Sequence, residues 1–150
     1  MNIIKVDLTL IHFFQRVSIP VARFGMFVVY FWFGILKLLG YSPASPLVQA
    51  LFEKTIHFMS FPAFMTVFAV FEMLIGVLFL IKGAERVVLP LLLFHMIMVF
   101  LPLILLPNIT WQKFLVPTLE GQYIIKNLVI IAVGMGIAAT LHPIGERQVA

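Results

Sequence analysis

Residues 62–106, PAFMTVFAVFEMLIGVLFLIKGAERVVLPLLLFHMIMVFLPLILL, decide the architecture. Two apolar runs, about 62–81 and about 87–106, are separated only by Lys82, Gly83, Ala84, Glu85 and Arg86. About 20 apolar residues cross the hydrocarbon layer of a bilayer as a helix. Helix is required, because lipid offers no partner to an open backbone group. So short a polar link folds the two spans into an antiparallel hairpin.

Working outward, the same length criterion finds two more spans, at about 20–39 and 121–141. The expected fold is therefore all-α, an integral membrane four-helix bundle in a single domain of 150 residues. The stretch MNIIKVDLTLIHFFQR ahead of the first span is broken by Lys5, Asp7, His12 and Arg16. That pattern predicts a separate amphipathic helix lying in the interface. Between the first two spans, Ser45 and Pro46 form a helix-start signal. Leu47, Val48, Leu51, Phe52, Ile56 and Met59 then recur at helical spacing, which predicts a short interfacial helix. The last connection, PNITWQKFLVPTLEG, carries Trp111, a residue type favoured at the membrane boundary.

Composition agrees with this reading and excludes others. Hydrophobic residues make up 63% of the chain and charged residues 11%, against about a quarter charged in soluble domains. The ten Lys and Arg residues are scattered singly, so they do not form the clustered face that nucleic acid needs. The absence of cysteine excludes thiolate chemistry and Cys-ligated metals or clusters within the chain. Lys5, Arg16, Arg23, Lys82, Arg86 and Arg147 fall on one side of the expected topology, and Lys54 and Lys113 on the other, with Lys37 and Lys126 just inside the span ends there. The positive-inside rule then predicts that both termini are cytoplasmic.

Ionisable residues inside a span are costly and mark candidate sites. Here they are Arg23, Lys37, Glu72, His95 and Lys126, with Glu120 at the entrance of the fourth span. Glu72 and His95 each lie about 11 or 12 residues from the centre of the hairpin, hence at equal depth at 1.5 Å per residue. They are a candidate proton-handling pair, or a structural pair that glues two helices. Lys37 and Lys126 either snorkel outward or converge with Glu72 and Glu120 on a polar ligand pocket. Arg23, near the inner end, is expected to meet phospholipid or the second hairpin. His95 is the sole histidine within the spans, which gives bis-histidine haem little support, and no metal set is expected.

Two stretches carry a resemblance. VARFGMFVVYFWFGILKLLGYSPASPLV, with Arg23, Gly34 and Lys37, and TLEGQYIIKNLVIIA, with Glu120, Gly121, Tyr123, Lys126 and Asn127, resemble the DoxX-like family of small four-span bacterial membrane proteins. The resemblance implies a bundle in the bacterial cytoplasmic membrane, in a family that includes a membrane subunit of a thiosulfate–quinone oxidoreductase. It carries no catalytic residue over. The functional expectation is a membrane subunit of a redox system that binds a quinone or similar lipid-soluble ligand at Lys37, Glu72, His95, Glu120 and Lys126. A protein partner or a second copy of the chain is expected, since no electron carrier is visible. The alternative is a non-enzymatic accessory or scaffold subunit. A channel or solute carrier has less in its favour, because four spans lack internal repeats and paired broken helices.

Overall fold

The computed structural model describes residues 3–143; Arg147, counted above for topology, lies outside them. Four helices are long and apolar enough to cross a membrane. Helix α1 (Ile3–Leu38) is followed by α2 (Ser45–Thr55), α3 (Phe61–Leu80), α4 (Glu85–Leu105) and the short α5 (Pro107–Thr110). A small ribbon of β1 (Trp111–Lys113) and β2 (Val116–Pro117) leads into α6 (Leu119–Ile125) and α7 (Asn127–Ala138).

The amphipathic segment and the first span, expected as two helices, form one. At 36 residues, α1 is about 54 Å long, whereas the 20 residues of α3 span about 30 Å. Pro20 sits inside α1 without ending it. A proline there forfeits a single backbone bond, and the turns on both sides hold the helix. Residues 3–16 are exposed throughout and extend beyond the bundle.

The bundle is tightest where α1 crosses α3. A Cβ on Gly34 would lie 2.6 Å from Met73 Cγ and 2.9 Å from the Ala69 carbonyl oxygen, and a Cβ on Gly76 would lie 2.9 Å from the Phe31 nitrogen. Backbone approaches backbone, so only a residue without a side chain fits. Small residues of this kind are what lets helices associate in lipid, where water drives nothing together. Around this crossing Met26, Tyr30, Ile75, Phe79, Val88, Leu92, Met96 and Ile137 form the buried core. Large apolar residues elsewhere, among them Trp32, Val67, Ile97 and Val129, face outward, as they must where lipid is the solvent.

At the end of the bundle away from the α3–α4 turn, α2 begins with Pro46 in its first turn. Its Phe52 packs on Phe61 and Phe64, and Lys54 donates to the Leu105 carbonyl at 2.7 Å. The last connection contains the antiparallel ribbon, with Trp111 opposite Pro117. Leu115, in its turn, takes a left-handed φ of 58°. Trp111 donates from its indole nitrogen to the Leu103 carbonyl, which ties the ribbon to the end of α4. The fourth span is interrupted at Lys126, where the Asn127 side chain donates to the carbonyls of Tyr123 and Ile124. Asparagine competes with the helix for its own backbone in this way.

Candidate functional site

Four polar side chains meet in the middle of the bundle. Arg23, Tyr30 and Lys37 recur every seven residues along α1, so they share one face of the helix with little drift. Tyr30 and Lys37 are buried on that face. Glu72 reaches them from α3 and His95 from α4, and these two are 5% and 4% exposed.

The contacts form one chain. The Tyr30 hydroxyl lies 3.2 Å from His95 Nδ1. His95 Nε2 lies 3.1 Å from Glu72 Oε1. Lys37 Nζ donates to both carboxylate oxygens, at 2.9 and 2.6 Å. A neutral His95 with its proton on Nε2 satisfies every member. The Tyr30 hydroxyl then donates to Nδ1, the imidazole N–H donates to Glu72, and the ammonium faces the carboxylate. With that assignment the ammonium and the carboxylate offset each other, as buried charges require.

Aromatic rings enclose it. Phe68 stacks on the His95 ring at 5.5 Å between centroids, and Lys37 Nζ sits 5.4 Å from the same Phe68 ring. Phe64 stacks on Phe68 and Phe52 packs against Phe64. A column of rings therefore runs from α2, at one end of the bundle, to the imidazole. Low polarity around the chain strengthens each of its hydrogen bonds.

Of the five residues expected to share a pocket, Lys37, Glu72 and His95 come together. Lys37 does not snorkel outward: it is buried and its ammonium reaches Glu72. Glu120 and Lys126 lie apart and exposed. The inward face of α6 is set by Gly121 and Ile124, and Lys126 falls almost opposite to them. Its ammonium sits 4.7 Å over the Tyr123 ring instead. Tyr30 was not among the expected residues. Its seven-residue spacing from both Arg23 and Lys37 was the signal that could have found it.

Arg23 meets the second hairpin. It donates through Nε to the Phe79 carbonyl at 2.8 Å and pairs through Nη1 with Glu85. The remaining histidines described, His12, His57 and His142, are exposed. Among the described residues no group of three or more His, Asp or Glu could hold a metal ion.

Comparison with protein-family models, with characterised proteins and with solved structures returned no match. What is established is the class: a multi-pass, all-α membrane protein with a buried polar chain at its centre.

Proposed function

We propose that this chain is a membrane subunit of a redox system, in which Tyr30, His95, Glu72 and Lys37 exchange protons with a quinone or similar lipid-soluble ligand. The observation that carries this reading is the unbroken hydrogen-bonded chain from Tyr30 to Lys37. A row of groups that can each give up one proton while accepting another is what general acid–base chemistry requires. Reduction of a quinone consumes two electrons and two protons. The chain's residues would serve the protons, and a partner subunit with its own electron carrier would supply the electrons. Lys37, with three N–H groups, has one left after its two bonds to Glu72 to offer a carbonyl oxygen.

The DoxX-like resemblance of the α1 and α6–α7 stretches supports the same setting, the bacterial cytoplasmic membrane. Arg23, Lys82 and Arg86 share one end of the bundle, with Arg16 and Lys5 further along α1 beyond it, a bias that supports cytoplasmic termini. The exposed apolar surface of residues 3–16 suits a partner, either a second copy or the electron-carrying subunit.

A second reading is favoured by one observation: Lys37, Glu72 and His95 satisfy one another, which is also what a lock on helix register needs. In that reading the chain is an accessory or scaffold subunit. Thermal stabilisation of the purified protein by a short-chain ubiquinone analogue separates the two. The redox reading expects a shift for the wild type that Glu72→Gln and Lys37→Met abolish. No shift in the wild type, or an undiminished shift in both variants, overturns it and leaves the register lock.

A further inference from the structure

The end of the bundle that holds the α3–α4 turn contains a recess that the polar chain does not use. Its volume is about 510 Å³, and its wall is formed by the Pro20–Phe24 stretch of α1, the turn around Lys82, the start of α4 and the segment after α7. We propose that this recess binds the phosphate headgroup of an anionic membrane lipid. The inference is independent of the redox reading.

Three cations line the recess, Arg23, Lys82 and Arg86, against a single carboxylate, Glu85. Arg23 and Glu85 neutralise each other. That leaves Lys82 and Arg86 without an acidic partner among the described residues. Arg86 is held in place by donating to the His142 carbonyl at 2.6 Å, so its guanidinium is positioned rather than free. Arg23 adds a specific demand. Its Nε and Nη1 are used, but Nη2 is buried and has no hydrogen-bond partner among the described residues. A buried N–H of a charged group without an acceptor is unfavourable. A phosphate oxygen is the acceptor that a guanidinium fork fits best.

The rest of the wall points to a lipid and not to a soluble anion. Phe24 and Leu80 line the recess, and both are large apolar side chains left exposed, 59% and 46%. The site is thus basic on its aqueous side and apolar where acyl chains would run. Its level along the bundle is that of the headgroups, since the turn caps the hydrophobic spans. Basic pockets between helices at this level are a known form of headgroup recognition.

The test uses the full chain in neutral detergent, titrated with dioleoyl phosphatidylglycerol or dioleoyl phosphatidylcholine and read by native mass spectrometry. The wild type is expected to retain phosphatidylglycerol selectively. One basic residue near an anionic headgroup is worth roughly fivefold in binding, so Lys82→Gln with Arg86→Gln is expected to lower that selectivity roughly 25-fold. Lys54→Gln with Lys113→Gln, at the other end, is expected to leave it unchanged. If the first pair does not fold, Lys82→Gln alone, on an exposed turn, carries the test with a roughly fivefold loss. Equal retention of the two lipids, or equal losses from both ends of the molecule, overturns the proposal. Displacement of the lipid by millimolar inorganic phosphate would overturn the lipid as the ligand and assign the recess to a soluble anion.

Discussion

Replacing Glu72 by Gln, alone and together with Lys37→Met, measures what the buried ion pair does for the bundle. Lys37 Nζ lies 2.6 Å from Glu72 Oε2, and both side chains are 7% exposed. At an effective dielectric of about 20, unit charges at that distance attract by about 6 kcal/mol. Stripping water from each ion costs several kcal/mol, so the intact pair contributes little net stability. Removing one partner is different. Glu72→Gln leaves the ammonium desolvated with only an amide oxygen to face, and the expected loss is about 3 kcal/mol, the low end of the range for broken buried pairs. Lys37→Met leaves the carboxylate with the His95 N–H alone and is expected to cost about as much. The double variant has no stranded charge, and its expected loss is only about 1–2 kcal/mol. Unfolding in mixed micelles of increasing denaturing-detergent fraction, followed by the fluorescence of Trp32 and Trp111, gives all four values. A double-variant loss within about 0.5 kcal/mol of the sum of the singles, the additivity expected of independent sites, would refute the reasoning.

The same titration checks four further expectations. Gly76→Ala, whose added Cβ would meet the α1 backbone at 2.9 Å, should cost about 1–3 kcal/mol through overpacking. Gly25→Ala, with nothing within 4 Å, meets no clash and should stabilise by about 0.5–1 kcal/mol through helix propensity. Tyr30→Phe removes the hydroxyl that faces His95 Nδ1 and should cost about 1 kcal/mol, with a shift of the imidazole resonances in a histidine-labelled sample. Deleting residues 1–16, which are exposed wherever they are described, should leave the unfolding midpoint of the bundle unchanged.

The legibility of the site divides along physical lines. Glu72 and His95 could be paired from the chain alone because a five-residue turn makes depth a matter of counting outward from it. Lys37 was open to two readings, because a lysine near the end of a span has two ways to satisfy its charge. The choice fell to Glu72 because Gly34 and Gly76 bring α1 close enough for an ammonium to reach across. Glu120 and Lys126 could not be placed by counting. They follow a 13-residue connection (Leu106 to Thr118, inclusive), whose ribbon and short α5 set the rotation of α6 and turn Lys126 toward Tyr123. Tyr30 escaped notice because tyrosine is unremarkable in an apolar span. Its seven-residue spacing from Arg23 and Lys37 acquires meaning once its buried hydroxyl is seen set against His95.

The chain by itself determined the solvent and the secondary structure: runs of 20 apolar residues admit no stable state but helices in lipid, and a tight polar link admits only a hairpin. Which helix faces touch was decided by the tertiary structure. In a membrane every outward surface is equally apolar, so hydrophobic pattern carries almost no information about rotation. Helix facing is set by steric fit at Gly34 and Gly76 and by the mutual satisfaction of Tyr30, Lys37, Glu72 and His95, and both depend on groups from separate helices meeting in space.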